Sequence, residues 1–163
     1  MELSDTMWGI LRRENGKVLF GEYYHNIDEK SRLIIPQKLR EGLGDTFVVF
    51  PDRAGCLLVM SETEWAFFYE RLVEKSKEKD NNIRMLARYY FPKVRNVSPD
   101  KQGRIQLSPD LKDAAGLTKS VAIVGVGNRL ELWDAEQWKD WNRKTSDDMG
   151  EDMQNTWDEA LGF

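Results

Sequence analysis

The sequence predicts an α+β protein that consists of two tandem β-β-α-β-β units with flanking helices. The first reason is an internal repeat, in which Asp28 matches Asp100 and Arg32 matches Arg104, both at an offset of 72 residues. The offset grows by one farther along, which is the size of an ordinary loop insertion. The second reason is the pattern within each unit, where short β-branched and aromatic runs lie between turn residues and one helix start. The ordered matches indicate two copies of one supersecondary unit.

The composition is typical of a folded protein rather than a disordered one. The chain has 163 residues, of which 32% are charged and 40% hydrophobic, and its formal net charge is −4. This length suits one domain or two small halves. No apolar run approaches the roughly 18 residues of a membrane span, and the acidic start lacks the cations of a secretory signal. We therefore expect a cytoplasmic protein with no membrane partner.

The cysteine and histidine content argues against several kinds of site. Cys56 is the only cysteine and His25 the only histidine. An intramolecular disulfide is thus impossible, and a His-rich metal centre has no ligands. A Ser/His/Asp or Cys/His site would have to use His25, whose neighbours are typical of a strand. We expect no metal, no cofactor and no enzymatic activity.

Each unit has four predicted strands in the same order. In the first unit they cover 20–27, 33–35, 46–50 and 56–60. In the second unit they cover 94–97, 105–107, 121–124 and 129–133. Their apolar residues are mostly β-branched or aromatic, as strands favour.

A short helix separates the second and third strands of each unit. Its start is marked by Pro36 in the first unit and by Ser108-Pro109 in the second, where a cap residue and a first-turn proline are favoured. Its end is marked by Gly44 or Gly116, because glycine readily takes the left-handed conformation that ends a helix. These signals complete the β-β-α-β-β order.

Both units then run into a longer helix. Ser61-x-x-Glu64 and Asp134-x-x-Gln137 are capping boxes, in which the short side chain accepts from a first-turn N–H. They predict helix starts directly after the last strand of each unit.

The first capping box leads into a helical linker between the units. The pattern predicts a helix over 62–77, an interruption at 80–82, and a second helix over 83–91 that ends before Pro92. Apolar residues at helical spacing along both helices predict packing stripes rather than a ligand site.

The two chain ends fall outside the repeat. Asn15-Gly16 is compatible with a type I′ hairpin or with a loose arm. Near the other end, Met153 and Trp157 are spaced by four among acidic residues, which predicts an acidic amphipathic helix. That helix either packs on its own domain or contacts another subunit. The predicted parts are an N-terminal arm (1–19), a first half with linker helices (20–91), a second half (92–146) and the acidic C-terminal helix or tail (147–163).

The repeated turn carries an arginine that turn geometry does not require. Arg32 and Arg104 occupy the same place in the two units, with Lys30 and Lys101 close by. A guanidinium donates two parallel hydrogen bonds to phosphate or to the guanine edge, and lysine adds a point charge. The turns therefore suit binding to nucleic acid. The alternative is that each arginine only braces its own turn by pairing with Asp28 or Asp100, although a surface pair is worth only about 0–1 kcal/mol.

Two other classes of function stay open on the residues alone. A hydrolase would use Asp28 and Asp100 as a carboxylate dyad that shares a proton. Against it, each aspartate lies four residues before an arginine that holds it ionised. A non-DNA interaction module is suggested by the six tryptophans, but Trp65 and Trp138 begin equivalent helices, which favours packing on the core.

Several of these motifs together resemble the MraZ family of bacterial transcriptional regulators. They are the repeated Asp-x-x-x-Arg turn, the helix starts at 35–40 and 107–112, the stretch 124–134 and the distal Trp138. The resemblance covers about residues 20–142. It implies a pseudo-twofold AbrB-like swapped-hairpin β-barrel, assembled into a homo-oligomeric ring. It further implies a nucleoid-associated repressor that binds tandem repeats of double-stranded DNA in the promoter of the division and cell-wall gene cluster.

The resemblance also implies which residues meet the DNA. Arg32 and Arg104 are the expected contacts, with Lys30 and Lys101 in support. The remaining members of the two turns complete the expected site, namely Asp28, Asp100, Gln102 and Gly103. The sequence departs from the family pattern in three ways: Ser31 stands where the family usually has glycine, Pro99 precedes the second aspartate, and the N-terminal arm is longer than is typical.

Overall fold

A computed structural model describes residues 18–78 and 81–162. The strands are β1 (Leu19–Asn26), β2 (Arg32–Ile34), β3 (Phe47–Pro51), β4 (Leu57–Ser61), β5 (Arg95–Val97), β6 (Arg104–Gln106), β7 (Ser120–Gly127) and β8 (Leu130–Asp134). The helices are α1 (Gln37–Leu43), α2 (Glu62–Ser76), α3 (Asn81–Tyr90), α4 (Pro109–Ala114), α5 (Ala135–Asp148) and α6 (Glu151–Leu161), and Phe91–Lys93 forms a 3-10 turn. The predicted α+β class and the β-β-α-β-β order of both units are confirmed.

The two units are interleaved rather than placed side by side. Strands β1-β7-β8-β4-β3-β5 form one antiparallel sheet in this order, and β2 pairs with β6 in a separate two-stranded ribbon. The first strand of each unit pairs with the third strand of the other, as β1 with β7 and β5 with β3. Within the described residues the pairing ends at β1 and β5, so the hydrogen-bonded strands form an open sheet plus a ribbon rather than a closed barrel.

The strand registers reveal a pseudo-twofold axis. In the ribbon, Leu33 lies opposite Ile105, and these are equivalent positions of the repeat. In the large sheet, Leu58 of β4 lies opposite Glu131 of β8, which are again equivalent. The axis therefore passes through the centre of the ribbon and between β4 and β8.

The core lies between the ribbon and the large sheet. Strand residues alternate between the two sheet faces, as in Phe47 and Val49 against Val48 and Phe50. The inner face packs on Leu33 and Ile105 of the ribbon and on the buried leucines of α1 and α4. The outer face is covered by Trp138 of α5 and by Trp65 of α2, which confirms that these tryptophans pack on the core.

The starts of α2 and α5 follow the predicted caps. Ser61 Oγ accepts from Glu64 N at 3.1 Å, and Asp134 Oδ2 accepts from Gln137 N at 3.2 Å. The predicted interruption is corrected, because α3 already begins at Asn81 rather than after residue 82. Asparagine is favoured where a helix starts, so Asn81 and Asn82 belong to α3 rather than to a break between the two helices.

The structure describes the C-terminal end of the chain to residue 162 but begins only at residue 18. The predicted Asn15-Gly16 turn lies outside the described residues. The predicted acidic C-terminal helix is present as α6, none of whose residues is buried. No helix in the described ranges is both long and apolar enough to cross a bilayer.

Candidate nucleic-acid interface

The first repeated turn joins β1 to β2 and is closed by the side chain of Asp28. Its Oδ1 accepts from the backbone N–H groups of Lys30 (2.9 Å) and Arg32 (2.8 Å), and its Oδ2 accepts from Arg32 Nε at 2.8 Å. The backbone adds a bond from Asp28 N to Arg32 O at 2.9 Å and one from Ser31 N to Asp28 O at 3.0 Å. A short aspartate can close a turn in this way because its carboxylate reaches the N–H groups that follow it.

The second turn, between β5 and β6, repeats the same bonds. Asp100 Oδ1 accepts from Gln102 N and Arg104 N, both at 2.9 Å, and Oδ2 accepts from Arg104 Nε at 2.8 Å. The residue before each arginine is left-handed, with φ of 59° at Ser31 and 82° at Gly103. Serine thus adopts the glycine conformation, and the two turns have one geometry.

Each turn is braced by the helix of the other unit. Arg40 of α1 donates from Nε to Ile35 O at 2.9 Å, which fixes its guanidinium over the buried Gly103. A Cβ at Gly103 would lie 2.6 Å from Arg40 Cζ. The equivalent cation of α4, Lys112, donates to Ser31 Oγ at 2.6 Å. Arg40 and Lys112 were not among the expected site residues, although their equivalent places in the repeat are a signal for this role.

Backbone bonds also link the two turns across the axis. Ile35 N donates to Gly103 O at 2.9 Å, and Leu107 N donates to Ser31 O at 2.8 Å. Gln106 Nε2 adds a bond of 2.7 Å to Lys30 O. The two turns are therefore tied to each other, so their arginines are held in a fixed relative position before any ligand arrives.

The ribbon places Arg32 and Arg104 side by side on its outward face. Leu33 and Ile105, which follow them, are fully buried on the inner face, and successive residues of a strand point to opposite faces. Residues on such a diagonal of an antiparallel pair lie about 7–8 Å apart. Arg104 Nη1 also lies 4.0 Å from Asp28 Oδ2 of the other turn. The two turns thus form one continuous surface, which we call the arginine surface.

The arginines brace their turns and still keep donors for a ligand. Each is held by its own aspartate through Nε only. Within the described residues, neither Arg32 nor Arg104 donates a hydrogen bond from Nη1 or Nη2 to the protein. Their side chains are 28% and 24% exposed. Each arginine can therefore brace its own turn and bind a ligand at the same time, although the sequence alone presented these roles as alternatives.

The other predicted site residues divide between the surface and the interior. Lys30, Lys101 and Gln102 are exposed at the turn tips. Gly103 is buried beneath Arg40, so its role is to let the backbone turn rather than to touch a ligand.

The surroundings of Asp28 and Asp100 favour the ionised form of both carboxyls. Partial desolvation opposes ionisation of Asp28, but hydrogen bonds from Arg32 and Lys30 and the charge of Arg32 lower its pKa below the ordinary value. The backbone N–H of Arg104 lowers the pKa of Asp100, assisted by the Arg104 side chain. A dyad that shares a proton needs one carboxyl with a raised pKa. The lowered pKa values of both carboxyls therefore do not support the hydrolase alternative.

Comparisons with known proteins agree with the internal repeat. The family model described as "MraZ protein, putative antitoxin-like" matches residues 18–88 and again 91–159. The protein named transcriptional regulator MraZ of Lactobacillus delbrueckii subsp. bulgaricus is 41% identical over 139 residues, covering 83% of this chain and 96% of the relative. Proteins of the same name are 38% identical in Acetivibrio thermocellus, over 77% of this chain and 87% of the relative, and in Clostridium acetobutylicum, over 80% and 91%. The chain belongs to the MraZ family.

Proposed function

We propose that the protein is a sequence-specific, DNA-binding transcriptional regulator that reads double-stranded DNA with its arginine surface. The observation that carries the proposal is the paired placement of Arg32 and Arg104, each held through Nε with Nη1 and Nη2 left as donors. Two parallel N–H donors match O6 and N7 of guanine in the major groove, or two phosphate oxygens. The name of its relatives, transcriptional regulator MraZ, supports the same function.

The preformed turns favour specific recognition over a general attraction to DNA. The chain carries a formal charge of −4, so long-range attraction to phosphate contributes little. The hydrogen bonds between the turns fix the arginines in advance, which lowers the entropy lost on binding. Affinity per copy is then modest, and several copies on repeated sites raise the occupancy by avidity.

We further propose the finer role that the family resemblance implies. The protein assembles into a ring, binds tandem repeats in the promoter of the division and cell-wall gene cluster, and represses that cluster as a cytoplasmic, nucleoid-associated regulator. Loss of the protein should therefore raise the output of a reporter driven by that promoter. Unchanged output would contradict repression, and reduced output would indicate activation.

A mobility-shift titration tests the DNA contact directly. The probe is the region upstream of the protein's own gene, with an excess of unrelated DNA. We expect Arg32→Ala and Arg104→Ala each to weaken binding by about 1–3 kcal/mol, roughly 5- to 150-fold. The matched control is Arg143→Ala, since Arg143 is an exposed arginine on α5, across the large sheet from the ribbon. Equal affinities for the loop variants and the control would overturn the proposal.

A further inference from the structure

Helix α6 carries an apolar stripe that its own chain leaves exposed. Met153, Trp157 and Leu161 recur every fourth residue of the helix, and they are 50–62% exposed. Residues four apart lie on one face of a helix. A helix of this length is marginal in water unless an apolar face is packed. The stability of α6 therefore favours a surface that covers the stripe.

A complementary groove lies between α2 and α3. It encloses an apolar cavity of about 190 Å³ above the outer face of β3 and β4. Aromatic rings form much of the lining, including Trp65, Phe68, Tyr90 and Phe91. An apolar cavity of about 150 Å³ is large enough to bind benzene. This groove can therefore accept one aromatic side chain.

The charges of the two helices are opposite. Helix α3 carries Arg84 and Arg88 and no acidic residue. Helix α6 carries four acidic residues and no basic one, namely Glu151, Asp152, Asp158 and Glu159. In helical projection Arg84 and Arg88 lie together on the side of α3 next to Ala87, which lines the groove, and Glu151 and Asp158 lie together on one side of the apolar stripe. Within the described residues neither arginine is held in an ion pair.

The stripe and the groove do not cover each other within one chain, because both are open in the same structure. We propose that α6 of one copy docks in the α2–α3 groove of a second copy, with Trp157 in the cavity and the acids of α6 beside Arg84 and Arg88. The contact uses different surfaces on the two copies, so it propagates from copy to copy and closes as a ring when the rotation allows. This inference rests on the proposed function, because it supplies the oligomer that repeated sites require.

The native mass of the full-length protein without DNA tests the contact. We expect an oligomer for the unaltered protein and a shift toward the mass of one chain for Trp157→Ala. Since α6 buries no residue in its own chain, the dissociated variant should keep a cooperative thermal unfolding transition, and its far-UV circular dichroism should fall by no more than the helical content of α6. A monomeric unaltered protein, or an oligomer that persists in Trp157→Ala, would overturn the proposal.

Charge reversal identifies the partners within the contact. Arg84→Glu with Arg88→Glu should dissociate the oligomer, as should Glu151→Lys with Asp158→Lys. A chain that carries all four changes should recover the oligomer, because the attraction is restored with reversed sign. The control is Lys139→Glu with Arg143→Glu on the exposed side of α5, which should leave the mass unchanged. If the four changes together gave no recovery, the proposed pairing would be wrong.

Two further measurements separate this contact from its alternatives. Deletion of residues 1–17 should leave the oligomer intact, and dissociation by that deletion but not by Trp157→Ala would assign the groove to the N-terminal arm and overturn the proposal. The Trp157→Ala variant should still bind a probe with one repeat, but lose the gain in affinity that a second repeat gives the unaltered protein. Failure of the α6 contact alone would leave the binding of DNA by Arg32 and Arg104 intact.

Discussion

Lys112 Nζ donates a hydrogen bond of 2.6 Å to Oγ of Ser31, which is the single non-glycine residue with a positive φ in the described ranges. The equivalent contact of the other turn joins Arg40 to Gly103, where the guanidinium occupies the space that a side chain would need. Each turn thus has its own matched pair, serine with lysine and glycine with arginine. The pairing explains how the first turn accepts a serine at a position that favours glycine.

The matched pairs predict that Gly103→Ser destabilises the protein. A serine Cβ would displace the Arg40 guanidinium and break its bond to Ile35 O, at a cost of about 1–2 kcal/mol. Combining Gly103→Ser with Arg40→Lys recreates the pair of the first turn and should recover part of this loss. Urea unfolding of the single and double variants measures the coupling. Strict additivity of the two changes would show that the residues do not act as a pair.

Replacing each loop arginine by lysine should separate charge from hydrogen-bond geometry. Arg32→Lys and Arg104→Lys keep the positive charge but lose the planar fork. We expect affinity for the specific probe to fall toward that for unrelated DNA. The slope of log affinity against log salt should change little, since it reports the number of phosphates neutralised. A specific affinity equal to that of the unaltered protein would mean that the arginines act only as charges.

The turn aspartates predict a loss of stability in acid. Their pKa values are lowered by folding, so the unfolded chain takes up protons first as the pH falls. The stabilisation is present above the unfolded-state pKa of about 4 and is lost as the pH drops further, through the folded-state pKa. Melting temperatures between pH 7 and pH 3 should fall more steeply for the unaltered protein than for Asp28→Asn with Asp100→Asn. Parallel curves would contradict a contribution from these carboxylates.

The capping side chains of Ser61 and Asp134 should contribute equally to stability in the two units. Ser61→Ala and Asp134→Ala each leave a first-turn N–H without its acceptor, which costs about 0.5–2 kcal/mol. Chemical unfolding should show this loss for both variants. Ser61→Thr keeps the hydroxyl acceptor and serves as the control, with a smaller loss. A change in stability near zero for both alanine variants would mean that water replaces the cap without cost.

Local structure was predictable because its signals are local. The capping boxes at Ser61 and Asp134, the apolar alternation of the strands and the turn aspartates each act over a few residues. The internal repeat indicates that the elements follow the same order in both units. The start of α3 was misplaced because asparagine both interrupts helices and begins them.

The pairing between the units was not predictable from these patterns. Nothing in the residues of β1 indicates that it pairs with β7 rather than with a strand of its own unit, because pairing depends on contacts distant in the sequence. The family resemblance supplied that expectation. For the same reason the site was predicted only in part: Arg32 and Arg104 were identified within their own turns, whereas the bracing by Arg40 and Lys112 crosses from one unit to the other.

The pseudo-twofold axis between Leu33 and Ile105 relates two turns that belong to a single gene product. In a dimer of identical chains every replacement appears twice, so both halves of the surface must change together. Here the tips already differ, with Glu29-Lys30 on one side and Lys101-Gln102 on the other. Each side can therefore diverge by its own mutations, and the nucleotide sequence it recognises is free to depart from a palindrome.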